Sequence, residues 1–330
     1  MKYVVVINPK AGSGAAAKVW PQLAAGLKKA TLDYQAIFTE YDGHGVLLGE
    51  QLAQRALTSE AAATAAQKPI NGPAFVIIIV GGDGTVNQIL NGLQHQQRPQ
   101  QQIPIAYFPA GSGNDFARSL HLTHNVDRFI QRLQQTTTTT ALNIFTLALQ
   151  TEAETPSQTY YLINNFGMGF DAHVVHLTEH SPWKSKLNRW HLGNLAYVIN
   201  LISVLKHQKP YELTLTLGDQ THHFEHAYLS TLTNIAYFGG GVPIVPAADP
   251  HIQELNLIIL EKPSLAKFIW LFMLMLTNGK HLNSPAVHLF KGQELHLAIS
   301  PPQYGQMDGE DMGKHAFQLT AHNQQYPFWI

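Results

Sequence analysis

"FVIIIVGGDGTVNQILNGL", Phe75 to Leu93, decides how this chain folds. The run Phe75–Val80 is apolar at every position, so it reads as a strand buried on both faces, as in a parallel sheet covered by helices. The turn Gly81–Thr85 follows it directly, and "TVNQILNGL" then reads as a helix. Outward in both directions the same alternation continues. "YVVVIN" (Tyr3–Asn8), "YQAIFT" (Tyr34–Thr39) and "IPIAYF" (Ile103–Phe108) read as strands. "AAAKVWPQLAAGLKKA" and "VLLGEQLAQRAL" read as helices between them, with "NDFARSL" after the last. Strands alternating with helices predict an open parallel α/β sheet with crossover connections.

From about Gln134 the texture changes. A threonine run (Thr136–Thr140) leads into pieces with strand character, among them "NIFTLAL", "YELTLTL", "HFEHAYLSTLTNIAYF", "LNLIIL" and "ELHLAIS". Their density predicts an antiparallel β-sandwich, interrupted by helices near 194–207 and 264–276. The expected organisation is an α/β domain over 1–133, rejoined by about 312–330, and a sandwich domain over 134–311.

At 330 residues the chain is long enough for two cores. Its formal net charge of -1 argues against a nucleic-acid partner, and the absence of cysteine excludes disulfides and thiolate metal sites. The longest apolar run, "FIWLFMLML" (Phe268–Leu276), has about half of the ~20 residues a membrane span needs. It is read as a buried helix. The expected location is the cytoplasm, or the inner membrane face as a peripheral protein.

Three glycine loops leave the carboxyl ends of predicted parallel strands, where open α/β sheets bind ligands. They are "NPKAGSG" (Asn8–Gly14), "GGDGTVN" (Gly81–Asn87) and "PAGSGND" (Pro109–Asp115). Glycine lets backbone N–H groups approach a phosphate, and a following helix N-terminus favours the anion. None of the three has the lysine of a P-loop or the spacing of a dinucleotide fingerprint. A carboxylate among them, Asp83, would repel phosphate unless Mg²⁺ intervenes; the other reading of Asp83 is a cap on the following helix.

Taken with "MDGE" (Met307–Glu310), these motifs in this order resemble the diacylglycerol kinase family in its bacterial lipid kinase branch, related to sphingosine and ceramide kinases. The resemblance implies ATP and Mg²⁺ in a cleft between the two domains, and a diacylglycerol-like lipid, met at a membrane surface, as phosphoryl acceptor. It implies ATP contacts from Asn8, Pro9, Lys10, Ala11 and Gly12, from Thr39, from Gly81, Gly82, Asp83, Gly84, Thr85 and Asn87, and from Ser112. Glu310 becomes the expected general base, with Asp308 shaping its loop and Asp83 beside it in catalysis. The family's second domain carries an Asp-Gly pair at a structural Mg²⁺ site. Here Ile252-Gln253 stands at that place, so no protein ligand set for a structural metal is expected. A homodimer is allowed by the resemblance and not required by the sequence.

Two other functions stay open. "GGDGT" also fits an NAD kinase-like phosphotransferase, and the departure at Ile252 fits a nucleotide-binding regulator without catalysis. The histidines of "HVVHLTEH" (His173, His176, His180) and the pair His222-His223 match no zinc pattern and are read as surface or structural. "HSPWKSKLNRWHLG" (His180–Gly193) mixes tryptophan with basic residues, as suits an anionic membrane surface or a helix packed on the sandwich.

Overall fold

In a computed structural model, described over residues 2–66, 72–95, 102–151, 154–180, 203–277 and 279–330, the first part of the chain builds the predicted parallel sheet. Strands β1 (Lys2–Ile7), β2 (Asp33–Phe38), β3 (Val76–Gly81) and β4 (Ile105–Pro109) lie in the order β2-β1-β3-β4. All three pairings are parallel. The crossovers are α1 (Ala11–Lys29), α2 (His44–Ala65) and α3 (Asp83–His95); α4 (Asp115–Ser119) and α5 (Val126–Gln135) follow β4.

Side chains that alternate along the strands feed two cores. Val4, Val6, Ile77, Ile79 and Ile105 pack on α2 and α3 through Leu48, Leu52, Ile89 and Leu93. Their neighbours Val5, Ile7, Ile78, Val80 and Phe108 pack on α1 and α5 through Leu23, Leu27, Phe129 and Ile130. A strand buried on both faces must be apolar at every position, which is why "FVIIIV" shows no alternation.

The rest of the chain pairs its strands with one another antiparallel. It comprises β5 (Thr140–Thr151), β6 (Glu154–Leu162), β7 (Asn165–Gly169), α6 (Phe170–Glu179), β8 (Tyr211–Leu217), β9 (Gln220–Thr233), β10 (Tyr237–Phe238), β11 (Val242–Pro243), β12 (Leu255–Glu261), α7 (Leu265–Thr277), β13 (Val287–Gly292), β14 (Glu294–Ser300), β15 (Gln303–Met307), β16 (Glu310–His315) and β17 (Gln318–Phe328). The strands wrap a core that includes Phe145, Phe166, Leu213, Leu232, Leu257, Leu297 and Phe317.

The last strand joins the two halves. β17 pairs with β5 along its whole length and meets β4 in parallel at Phe328 and Ile105. Trp329 donates its backbone N–H to Ile105 O at 2.8 Å and buries its side chain in the core under α1 and α5.

One expectation fails here. "FIWLFMLML" forms α7, but only Phe268 and Leu271 of the helix are buried, while Leu265 (61%), Ile269 (53%), Trp270 (55%), Met273 (53%) and Leu276 (46%) are exposed. A helix packed on one sheet can bury a single stripe, and this one is apolar all round. The stretch 180–193, read as suited to a membrane surface or to packing on the sandwich, lies outside the described residues except for His180. Of the helix expected near 194–207, only 203–207 is described, and it is helical. Among the described residues, no helix is long and apolar enough to cross a membrane.

Candidate active site

The three glycine loops converge at the carboxyl ends of β1, β3 and β4. Asn8 anchors the first: its Nδ2 donates to Thr85 Oγ1 at 3.0 Å, and its Oδ1 accepts the Lys10 N–H at 3.1 Å. Gly12, Ser13 and Gly14 all have positive φ (58°, 54° and 91°), a left-handed run that turns successive N–H groups to one side. A Cβ on Gly12 would overlap the Ala110 carbonyl of the third loop. The second and third loops touch as closely. Ala110 donates to Gly81 O at 2.6 Å, and a Cβ on Gly111 would fall 2.5 Å from Gly82 Cα. Asn114 clamps its own loop by exchanging bonds with Gly111, 3.0 Å to its N–H and 2.8 Å to its carbonyl. Glycine is required at these contacts because backbone meets backbone.

Together the loops line a cleft of about 460 Å³ whose walls include Asn8, Ala11, Gly12, Gly82, Asp83, Gly84, Thr85 and Ser112. Thr39 and Lys10 line an adjoining recess of about 280 Å³ that shares Asn8, Asp42 and Gln88 with the cleft. Pro9, Gly81 and Asn87 are not on the cleft wall. Asn87 turns away instead: its Nδ2 donates to Tyr161 O at 2.8 Å and to Asp308 Oδ2 at 2.7 Å.

Asp83 caps a helix, but not the one it begins. Its Oδ2 accepts the Phe116 N–H in the first turn of α4 at 3.2 Å and Asn164 Nδ2 at 3.3 Å, while its Oδ1 accepts from Tyr107 Oη at 3.0 Å. Burial pushes its carboxyl above the usual range, the bonds from Phe116 and Tyr107 oppose this, and Asp115 adds to the rise. Three donors leave a carboxylate with about one of its four acceptor directions open. The fit is to a cation held mainly by phosphates and water, as Mg²⁺ usually is.

The far end of the chain supplies the facing wall. Asp308 and Gly309, with φ of 47° and 90°, form the turn between β15 and β16. Asp308 accepts four bonds at 2.7 to 3.0 Å, from the N–H groups of Ile163, Asn164 and Asn165 and from Asn87. Burial pushes this carboxyl up to about 7, against the pull of the four donors. Every partner is a donor, which favours the ionised form and limits the rise. The next side chain out, Glu310, lies over the second glycine loop. A Cβ on Gly84 would be 3.9 Å from Glu310 Oε1, and Gln88 Nε2 is 3.5 Å away. Desolvation in the cleft raises the Glu310 carboxyl above its usual range, Gln88 pulls it back, and Asp42 and Glu179 add to the rise.

Asp171, which was not among the residues nominated from the sequence, lies in this site. It lies buried in the first turn of α6, with Oδ2 accepting from Gln306 Nε2 and Thr231 Oγ1, both at 3.3 Å. Burial pushes its carboxyl up to about 6. With Phe238 and Gly239 it lines both the polar cleft and a second cavity of about 120 Å³. That second cavity is apolar, walled by residues such as Phe170, Leu229, Ile258, Phe268 and Leu271. The nearest signal in the sequence was an aspartate two residues after the last glycine of "GMGFD", at the start of a helix.

At the place of the family's structural metal, Ile252 is exposed and Asp249 binds the backbone N–H and ring of His251 at 2.9 and 2.7 Å.

Comparison with known proteins agrees with this architecture. Residues 2–144 match the diacylglycerol kinase catalytic domain, and residues 165–325 match the YegS C-terminal NAD kinase beta sandwich-like domain. A Bacillus subtilis protein named as a lipid kinase, YtlR, is 27% identical over 317 residues, which are 96% of this chain and 95% of that one. A diacylglycerol kinase of Staphylococcus haemolyticus is 26% identical over 312 residues, 94% of this chain and 82% of its own. A Bacillus anthracis crystal structure named as a diacylglycerol kinase superposes with a TM-score of 0.70 at 18% identity, covering 99% of this chain and 96% of its own. Yeast NADH kinase shares the fold more distantly, with a TM-score of 0.51 at 11% identity over 99% of this chain and 82% of its own. With both domain models matched in order along its length, the chain carries a diacylglycerol kinase catalytic domain followed by a YegS-type sandwich domain, and it is similar over nearly its whole length to proteins named as lipid kinases.

Proposed function

We propose that this chain transfers the γ-phosphoryl group of ATP, with Mg²⁺, to the hydroxyl of a diacylglycerol-like lipid. One observation carries the reading: the polar, glycine-lined cleft and the apolar cavity adjoin at Asp171, Phe238 and Gly239. A triphosphate needs the first, an acyl chain the second, and the reacting hydroxyl belongs where they meet.

In this reading the amides of the three loops hold the phosphates, and Ser112 and Thr85 add hydroxyl donors. When bound, Mg²⁺ neutralises phosphate charge, with Asp83 as its neighbour in the wall. Glu310 takes the acceptor's proton as the acceptor oxygen bonds to phosphorus, and ADP departs with the broken bond's electrons. A raised carboxyl suits that role, because a base with a pKa nearer neutrality keeps more driving force for the transfer. Asp171 orients the acceptor from the boundary between the two cavities.

Substrate capture from a bilayer is part of the proposal. The inner face of α7 walls the apolar cavity through Phe268, Leu271, Phe272 and Met275, and its outer face exposes Leu265, Ile269, Trp270, Met273 and Leu276. Insertion of the outer face would bring the cavity wall to the level of the lipid.

Labelled ATP offered with Mg²⁺ and vesicles of different lipids tests the reading, with NAD as a parallel acceptor. Transfer to diacylglycerol is expected, and Glu310→Gln should cut it by about 10²- to 10⁴-fold while leaving ATP binding intact. Transfer to NAD alone would favour the NAD kinase-like alternative. ATP binding without transfer to any acceptor would favour the regulator.

A further inference from the structure

Beyond the cleft, the described residues bring one group of three potential metal ligands together: His176, His180 and Asp311. His176 and His180 are one turn apart at the end of α6, so both rings project from the same side. Asp311 comes from β16, and the three offer ligand atoms that all lie within 4.8 Å of one another. His176 Nδ1 is 2.7 Å from Asp311 Oδ2; His180 Nδ1 donates to the His176 carbonyl at 3.0 Å and is 3.6 Å from the same Asp311 oxygen, so this ring ligates a cation by giving up that carbonyl or by turning its Nε2 inward. The other oxygen, Oδ1, is held by the Gly313 N–H at 3.0 Å, which aims Oδ2 at the rings. The His176 ring is fixed by stacking on Tyr304, with centroids 4.3 Å apart.

An ordinary ion pair would need one histidine. Here the second, with its side chain 62% exposed to water, also faces the same carboxylate. Two imidazoles and a carboxylate make a donor set for a divalent cation of the zinc class, with further positions left for water.

We propose that His176, His180 and Asp311 form a binding site for a zinc-class divalent cation. The cation replaces the proton now shared between His176 Nδ1 and Asp311 Oδ2, and that proton passes to solvent. Its placement gives it a consequence. Asp311 is the residue after Glu310, and Asp171 lies in the first turn of α6, so the cation ties the strand carrying the proposed base to the helix bordering the acceptor cavity.

The test uses the full chain stripped by a chelator, without nucleotide or lipid. It needs no turnover, so its failure is distinct from failure of the phosphotransfer reading. Zn²⁺ titrated calorimetrically should bind at one equivalent, and Co²⁺ should give a visible ligand-field spectrum. His180→Ala, at an exposed ring, should leave the metal-free melting temperature unchanged and weaken Zn²⁺ binding at least about tenfold. Asp311→Asn, which keeps the side chain's shape, should do the same to affinity. With eighteen histidines in the chain, weak sites elsewhere are a real competitor. No one-equivalent binding, or binding equally strong in both variants, would overturn the proposal.

Discussion

Asn87 and Asp308, 221 positions apart, are joined by a 2.7 Å hydrogen bond that ties the first helix after "GGDGT" to the turn before Glu310. The same carboxylate gathers three backbone N–H groups from the segment Ile163–Asn165. One side chain therefore sets where the terminal hairpin meets the glycine-lined cleft.

Asp308→Asn keeps the size of this side chain but presents an NH₂ group to donors. At least one buried N–H then loses its acceptor, at a cost of about 1–3 kcal/mol for each group left unpaired. Urea unfolding should show that loss, and turnover should fall along with it because Glu310 follows in the same turn. A variant with the wild-type unfolding midpoint would show that Asp308 does not hold the hairpin.

Activity should rise with pH as Glu310 loses its proton, along a limb lying above the ordinary glutamate range. Asp42 raises this carboxyl and Gln88 lowers it. Asp42→Asn should move the limb to lower pH, and Gln88→Ala to higher pH. Profiles of kcat against pH for the three proteins check both signs, and shifts in one common direction would detach the limb from Glu310.

Gly12→Ala meets two obstacles. The residue sits at φ 58°, where an L side chain costs about 1–2 kcal/mol, and its Cβ would strike the Ala110 carbonyl. The first and third loops must part to admit it. ATP affinity measured by equilibrium binding should drop by more than about tenfold. Gly14→Ala is the control: its φ is also positive, but open space surrounds its Cβ, so its loss should be smaller.

Charge placed on the outer face of α7 should separate membrane docking from chemistry. Ile269→Glu with Met273→Glu is expected to lower co-sedimentation with anionic vesicles and to reduce turnover of lipid presented in them. Turnover of a short-chain acceptor in free solution should stay near the wild-type rate. Equal losses on both acceptors would place these residues in the fold rather than at a bilayer.

Much of this site could be read along the chain. Buried parallel strands betray themselves by unbroken apolar runs, and each glycine loop follows such a run directly. The order of the loops and of "MDGE" was enough to nominate Glu310, which the fold brings over Gly84. What could not be read was direction. Asn87 stands in the same motif as Thr85, yet only Thr85 lines the cleft, because residues two apart on a helix diverge by about 200°. Asp83 was recognisable as a cap or a metal neighbour, whereas its real partner, the first turn of α4, depends on how β3 and β4 sit side by side.

The helix α7 is the instructive miss. Its composition is that of a core helix, and local pattern holds no mark of which neighbours are absent. Exposure is a property of the assembled surface, not of the segment.

The amino-acid order by itself determined the layered α/β half and the places of the three glycine turns, and through the family resemblance it nominated the terminal acid, since each rests on contacts within a few residues or on a motif. Only the tertiary structure decided that Asp171 borders two cavities, that Asp308 gathers donors from two distant segments, and that His176 and His180 share a carboxylate. Those are contacts between parts of the chain far apart in sequence. They arise when separate strands and helices are packed against one another, and no local periodicity encodes that packing.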